Sequence, residues 1–303
     1  MFKHGILRFV NIESQILRDH ALAAYCTYQI GGKADWFLAA HSIEELLAGL
    51  EWAKENKLPS FVFGRGSNLL FDDAGFRGLV IRMEAKEIEV QGKEIVAEAG
   101  ALCAQVVKAA ADAGLSGLEA WNGLPGTVGG AVYGNAGCFG VETKDILVKA
   151  EIFTPETGVQ THAVSWFEYG YRTSKLKREG GVVLRARFKL NAGDKEAIAE
   201  EMKAIAKARI QKQPPGLSTG SFFKNPSVEQ SAGWLLDQAG LKGFELGRMK
   251  ISDQHANFFV NKGGATAQEV LVLEDYAKQK VFEQFGVKLE REIVFVPCTG
   301  LRL

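Results

Sequence analysis

Gly64-Arg65-Gly66-Ser67-Asn68 follows a short apolar run, and a second glycine-dense stretch extends from Gly123 to Gly137. Glycines let backbone N–H groups approach a phosphate with no Cβ in the way, and Ser67, Asn68 and Thr127 add donors. Two such loops suit one large diphosphate ligand. The first lacks the third glycine of a dinucleotide fingerprint, and Leu69-Leu70 stand where a helix should open, which disfavours a Rossmann site. The second lacks a Walker ending, which disfavours a triphosphate cradle with magnesium. For either loop alone, a turn at a sheet edge is the plain alternative.

The frame that must position these loops is α/β in pattern. Residues 34–40 read as a strand, and Ser42 with Glu45 makes a capping box ahead of Ile43, Leu46, Leu47 and Leu50 at helical spacing. Strands over 60–63 and 78–83 flank the first loop. Residues 87–90 and 94–98 pair about a Gln91-Gly92 turn, and 103–113 is a helix ended by Gly114. Strands over 148–153, 160–164 and 182–190 complete a second lobe. The helix over 194–213 carries Ile198, Met202, Ile205 and Ala206 on one face and stops at Pro214-Pro215. A domain boundary is placed near residue 192. Beyond it the pattern gives a loop (216–225), a helix (232–239), a strand (256–260), a helix (267–285) and a final strand (287–296).

Composition narrows the class. A chain of 303 residues with 47% hydrophobic content supports two or three cores. Its 36 basic and 36 acidic side chains cancel, so there is no global field to gather nucleic acid or anionic lipid. Cys26, Cys103, Cys138 and Cys298 are too scattered for a structural zinc site. Charges at Lys3, Arg8 and Glu13 argue against a signal peptide or membrane span over 1–15, giving a cytoplasmic expectation.

Six segments, taken in order, resemble the motifs of the UDP-N-acetylenolpyruvoylglucosamine reductases. They are Tyr28-Gln29-Ile30-Gly31-Gly32, Gly64 to Leu70, Gly123 to Ala131 with Asn135-Ala136-Gly137, Tyr171-Arg172-Thr173-Ser174, Gly220 to Pro226, and Leu289-Glu290-Arg291-Glu292. The likeness runs from about residue 20 to about residue 297. It implies an α+β fold: a two-lobed FAD-binding module of the vanillyl-alcohol-oxidase (PCMH) type, residues 1–85 and 86–191, then an α+β substrate-binding domain, 192–303, whose last strand returns towards the flavin. It also implies FAD-dependent, NADPH-using reduction of UDP-N-acetylglucosamine enolpyruvate to UDP-N-acetylmuramate, a step of peptidoglycan precursor synthesis, by a monomer.

By the same resemblance, Tyr28, Gly64, Arg65, Gly66, Ser67, Asn68, Pro125, Gly126, Thr127, Gly129, Gly130, Ala131, Asn135, Ala136 and Gly137 hold FAD. With no His or Cys in the first loop, the FAD is expected to be non-covalent. Hydride transfer from flavin N5 to C3 of the enolpyruvyl group leaves charge at C2, which must be stabilised and then protonated. A guanidinium suits the first task and a hydroxyl the second. The resemblance assigns Arg172, Ser221 and Glu292 to this chemistry. Taken singly, Ser221 reads as an N-cap, Arg172 as a salt-bridge residue, and Glu292 as an edge-strand carboxylate with Glu290 as its rival.

Lys212, Lys242, Asn225 and His255 are implied for the UDP-sugar, although a lone histidine is more often structural. Arg172 and Ser221 lie too close in sequence for the tyrosine-bearing loop that one subclass inserts between them, so the chain resembles the shorter subclass. The alternatives are an alcohol or lactone oxidase of the same fold and a non-catalytic flavin or nucleotide-sugar binder.

Overall fold

The computed structural model describes residues 12–300; most of the opening stretch read as carrying no leader lies outside them. The first lobe comprises β1 (Leu17–Ala21), β2 (Lys33–Ala40), α1 (Ile43–Glu55), β3 (Ser60–Phe63), β4 (Leu69–Phe71) and β5 (Phe76–Met83). Its sheet runs β1-β2-β5-β3, parallel except for the β1–β2 pair. Ser42 caps α1 by accepting from the Glu45 amide at 3.1 Å.

The second lobe contains β6 (Ile88–Gln91), β7 (Glu94–Glu98), α2 (Cys103–Asp112), α3 (Val128–Gly134), β8 (Leu147–Thr154), β9 (Gly158–Ala163), α4 (Lys175–Glu179) and β10 (Val182–Lys189). Its five-stranded sheet, β9-β8-β10-β7-β6, is antiparallel throughout. The remainder supplies α5 (Lys195–Lys212), α6 (Ala232–Gln238), β11 (Met249–Ile251), β12 (Phe259–Asn261), α7 (Ala267–Phe285) and β13 (Val294–Val296).

Alternation along the first-lobe strands decides how the three parts stack. Leu38 and Ile81 point into a core shared with α1 and the second lobe. Phe37, Val80, Phe61 and Phe63 point the other way, into a core shared with Leu235, Phe222 and Val270 of the C-terminal part. Both faces of the sheet are therefore buried, as its parallel strands require. β13 then pairs in parallel with β4, returning the C-terminal end of the chain to the first lobe.

Four differences from the sequence reading have physical causes. First, α5 packs on the second lobe: buried Arg209 donates through Nε to Asn122 O at 2.7 Å, and Asn122 Nδ2 donates to Met202 O at 2.8 Å. The packing ties α5, which follows the boundary placed near 192, to the second lobe. Second, the strand expected over 287–296 shortens to β13, because Glu290 O and Glu292 N bond instead to Lys224 N and Phe222 O. Third, α3 lies inside what read as loop; Thr127 caps it weakly, its Oγ1 accepting from Gly130 N at 3.4 Å. Fourth, β12 begins at Phe259, since a turn through His255 occupies the preceding residues.

Candidate active site

Arg172 occupies the third position of a tight turn, Gly170 to Thr173, closed by Thr173 N donating to Gly170 O at 3.3 Å. Its φ of +55° lies in the left-handed region, where a non-glycine residue is strained by about 1–3 kcal/mol. The surroundings hold that strain. Tyr169 Oη donates to Val132 O at 2.8 Å, Ser174 Oγ to Tyr133 O at 2.6 Å, and Asn135 Nδ2 to Gly170 O at 3.0 Å. The turn is thereby clamped to α3 and its C-cap.

The guanidinium reaches two other parts of the chain. Arg172 Nη2 donates to Gly137 O at 2.8 Å, and Nε lies 2.9 Å from Glu292 Oε1. The second contact is close but off the hydrogen-bond line, so it is held by charge. The Glu292 side chain is 18% exposed while that of Glu290 is 72% exposed. Burial raises the Glu292 pKa against the opposing pull of Arg172, Lys177 and Lys224.

Glu292 also joins the serine loop to the first glycine loop. Its amide donates to Phe222 O at 2.8 Å, next to Ser221, and its carbonyl accepts from Asn68 Nδ2 at 3.3 Å. Phe222 and Phe223 are fully buried, a contribution of about 1.5–3 kcal/mol each that anchors the loop. Buried Asn257 fixes it further, accepting from Phe223 N at 2.9 Å and donating to Phe223 O at 2.8 Å. Ser221 Oγ is left without a protein hydrogen-bond partner among the described residues and is only partly buried.

The two glycine loops touch. Ser67 Oγ donates to Pro125 O at 3.0 Å, and a Cβ on Gly64 would meet Thr127 Oγ1 at 2.3 Å. Gly66, at φ +67°, lies against Tyr25 O, which a Cβ would approach to 2.4 Å. On the other side the cradle is open: a Cβ on Gly130 would have only Thr127 Oγ1, at 3.8 Å, and one on Gly134 nothing within 4 Å. One cradle lined by backbone and hydroxyls fits a diphosphate, and Gly137, beside Arg172, lies at its far end.

The side chains of two expected FAD contacts point elsewhere. The Tyr28 ring is fully buried beside Thr219 in the C-terminal core, and its carbonyl accepts from Asn261 Nδ2 at 2.8 Å. Asn135 is also fully buried, its side chain directed to Gly170 O, Glu142 and the Lys144 amide.

The sugar-nucleotide candidates gather around the 252–258 turn, to which Ser221 is bridged through Phe258. Gln254 Nε2 donates to Gln211 O at 2.8 Å, bringing exposed Lys212 near. His255 Nδ1 accepts from Asn257 N at 3.2 Å, and burial with the Lys242 charge holds its pKa down. Lys242 is paired with Asp237 at 2.7 Å. Asn225 Oδ1 is taken by the α6 amide of Ala232 at 3.1 Å, while its own amide donates to Tyr171 Oη at 3.3 Å.

Sequence reading missed Lys177 and Lys224, whose charges bear on Glu292. Their nearness to the two motifs was the available signal: Lys224 lies inside the serine motif, and Lys177 lies three residues past the end of the arginine motif.

The fold and this site define a FAD-binding module joined to an α+β C-terminal domain. Residues 34–163 match the FAD binding domain family, and 211–296 match the C-terminal domain of UDP-N-acetylenolpyruvoylglucosamine reductase. The chain belongs to the UDP-N-acetylenolpyruvoylglucosamine reductase family. It is 39% identical to the reductase of Chloroflexus aurantiacus, covering 91% of this chain and 95% of that one, and 41% identical to that of Latilactobacillus sakei, covering 91% of each. The Thermus caldophilus reductase crystal structure superposes with a TM-score of 0.78 at 38% identity, over 92% of this chain and 97% of the other.

Proposed function

We propose that the chain catalyses reduction of UDP-N-acetylglucosamine enolpyruvate to UDP-N-acetylmuramate. The observation that carries this is the convergence of Arg172, Ser221 and Glu292 at one end of the glycine cradle, through the 2.9 Å Arg172–Glu292 contact and the 2.8 Å Glu292–Phe222 bond. Bound FAD supplies a hydride to C3 of the enolpyruvyl group, with NADPH as the donor that restores it.

Arg172 neutralises the charge that develops at C2 and in the adjacent carboxylate, because a guanidinium stays protonated at any working pH. Glu292 orients that guanidinium. Ser221, its hydroxyl free of protein partners among the described residues, delivers the proton to C2. Lys212, Lys242, Asn225 and His255 take the UDP-sugar, and Arg65, Gly66, Gly126 and Thr127 line the diphosphate cradle. The same reading makes the chain a cytoplasmic monomer of the shorter subclass.

The test is anaerobic: the flavin is reduced with NADPH, and UDP-N-acetylglucosamine enolpyruvate is then added. Reoxidation with formation of UDP-N-acetylmuramate is expected. Reduced flavin that reacted only with oxygen would sink the proposal.

A further inference from the structure

The Arg172 turn spends two carbonyls on outside groups. Gly170 O accepts from Asn135, and Arg172 O accepts from Lys177 Nζ at 3.1 Å. Lys177 lies in α4, whose N-cap Ser174 accepts from the Lys177 amide at 3.2 Å and donates to Tyr133 O at 2.6 Å. The lysine thus starts from a segment tied to α3 and reaches back to the strained residue. A left-handed arginine at a turn position that favours glycine persists only when its neighbours over-determine it. Arg172 has only one donor to its carbonyl from outside the turn among the described residues, and that donor is charged.

We propose that Lys177 is a positioning residue of the reduction: its ammonium holds the Arg172 carbonyl so that the guanidinium stays between Gly137 O and the Glu292 carboxylate. This rests on the functional reading above. The charged groups facing Lys177 are Arg172, Lys224, Glu292 and Glu290. Two cations oppose its charge and two carboxylates favour it, with burial the largest influence, lowering its pKa. The anchor is charge-assisted while the amine is protonated and weakens to a neutral hydrogen bond as pH rises through that lowered value. A guanidinium at the same place does not titrate in the working range.

The same geometry separates a positioning role from a general structural one. Loss of the ammonium leaves the glycine cradle untouched, since the Ser67–Pro125 bond and the Gly64–Thr127 approach do not involve α4. Only the guanidinium's aim is released. Displacing a group by about 1 Å in a reacting complex costs on the order of 10²-fold in rate.

The experiment compares the flavin-loaded wild type, Lys177→Met and Lys177→Arg in the two half-reactions. Lys177→Met is expected to retain flavin absorbance and to be reduced by NADPH at a rate within about twofold of wild type, while reoxidation by UDP-N-acetylglucosamine enolpyruvate slows on the order of 10²-fold. Lys177→Arg should recover most of that rate and shift the alkaline limb of its pH profile upward. The inference is overturned if Lys177→Met reoxidises at the wild-type rate, if Lys177→Arg leaves the alkaline limb in place, or if both half-reactions fall together in both variants. A wild type that its substrate does not reoxidise overturns the functional reading itself, and Lys177 with it.

Discussion

Arg172 and Glu292 come from opposite ends of the second half of the chain, yet Nε and Oε1 lie 2.9 Å apart. The arginine is anchored on the FAD module and the glutamate on the returning tail, so the pair closes the site across a domain junction. Arg172→Lys keeps a charge but loses the fork that reaches Gly137 O and Glu292 together. It should lower the substrate-dependent reoxidation rate on the order of 10²–10³-fold, the range for removing a preorganised charge-stabilising donor. Stopped-flow absorbance of the flavin checks it, and an unchanged rate would remove Arg172 from the chemistry.

Among the described residues, Ser221 has a hydroxyl without a protein partner, next to the Phe222 carbonyl that binds Glu292 N. Ser221→Ala is expected to leave reduction by NADPH intact and to slow reoxidation by about 10²–10⁴-fold, the contribution of one proton donor. Equal slowing of both half-reactions would point to a binding role instead.

Burial raises the Glu292 pKa above its ordinary value of 4.5. The native state therefore holds this proton more tightly than the unfolded chain, and the stability associated with it is lost as pH rises from the unfolded value through the raised one. Glu292→Gln should melt higher than wild type at about pH 8, with the difference closing near pH 4, while turnover falls. A melting difference that grew towards acid would reverse the sign.

Fully buried Glu274 on α7 pairs with Arg291, the residue before Glu292, its Oε2 2.7 Å from Arg291 Nε. Lys278 pairs with the same carboxylate, so removing Glu274 leaves two partly exposed cations without their shared partner. Glu274→Ala should cost about 1–3 kcal/mol in urea unfolding, with Glu274→Leu/Arg291→Met losing less than the single change.

Gly64→Ala places a methyl group 2.3 Å from Thr127 Oγ1 at the junction of the two glycine loops. The loops must part, so the variant is expected to purify with little flavin absorbance and a near-normal far-ultraviolet spectrum. Full flavin content would show that the two loops do not form one cradle.

Local signals in the sequence carried much of the frame. The helix expected over 267–285 is α7 to the residue, because Thr266 and Glu269 form its capping box and Gly286 takes the left-handed stop at φ +69°. The glycine loops and the order of the motifs were also legible, since each is written in consecutive residues.

The helix α3 was not legible, because Gly129, Gly130 and Gly134 give it poor intrinsic propensity. It forms through contacts made elsewhere: Gly129 N donates to Ala99 O at 2.9 Å, and a Cβ there would come within 2.9 Å of the Ala99 side chain. The packing of α5 on the second lobe was not legible for the same reason, as periodicity marks α5 as a helix but not the surface that receives Arg209.

The sequence by itself determined which residue types meet the chemistry and in what order they occur. Only the tertiary structure decided that Glu292 is withdrawn from water and Glu290 left in it, that the Tyr28 and Asn135 side chains are fully buried, and that Lys177 reaches the Arg172 carbonyl. Propensity and capping act over a few residues, whereas burial and ion pairing depend on segments that fold alongside one another from distant parts of the chain.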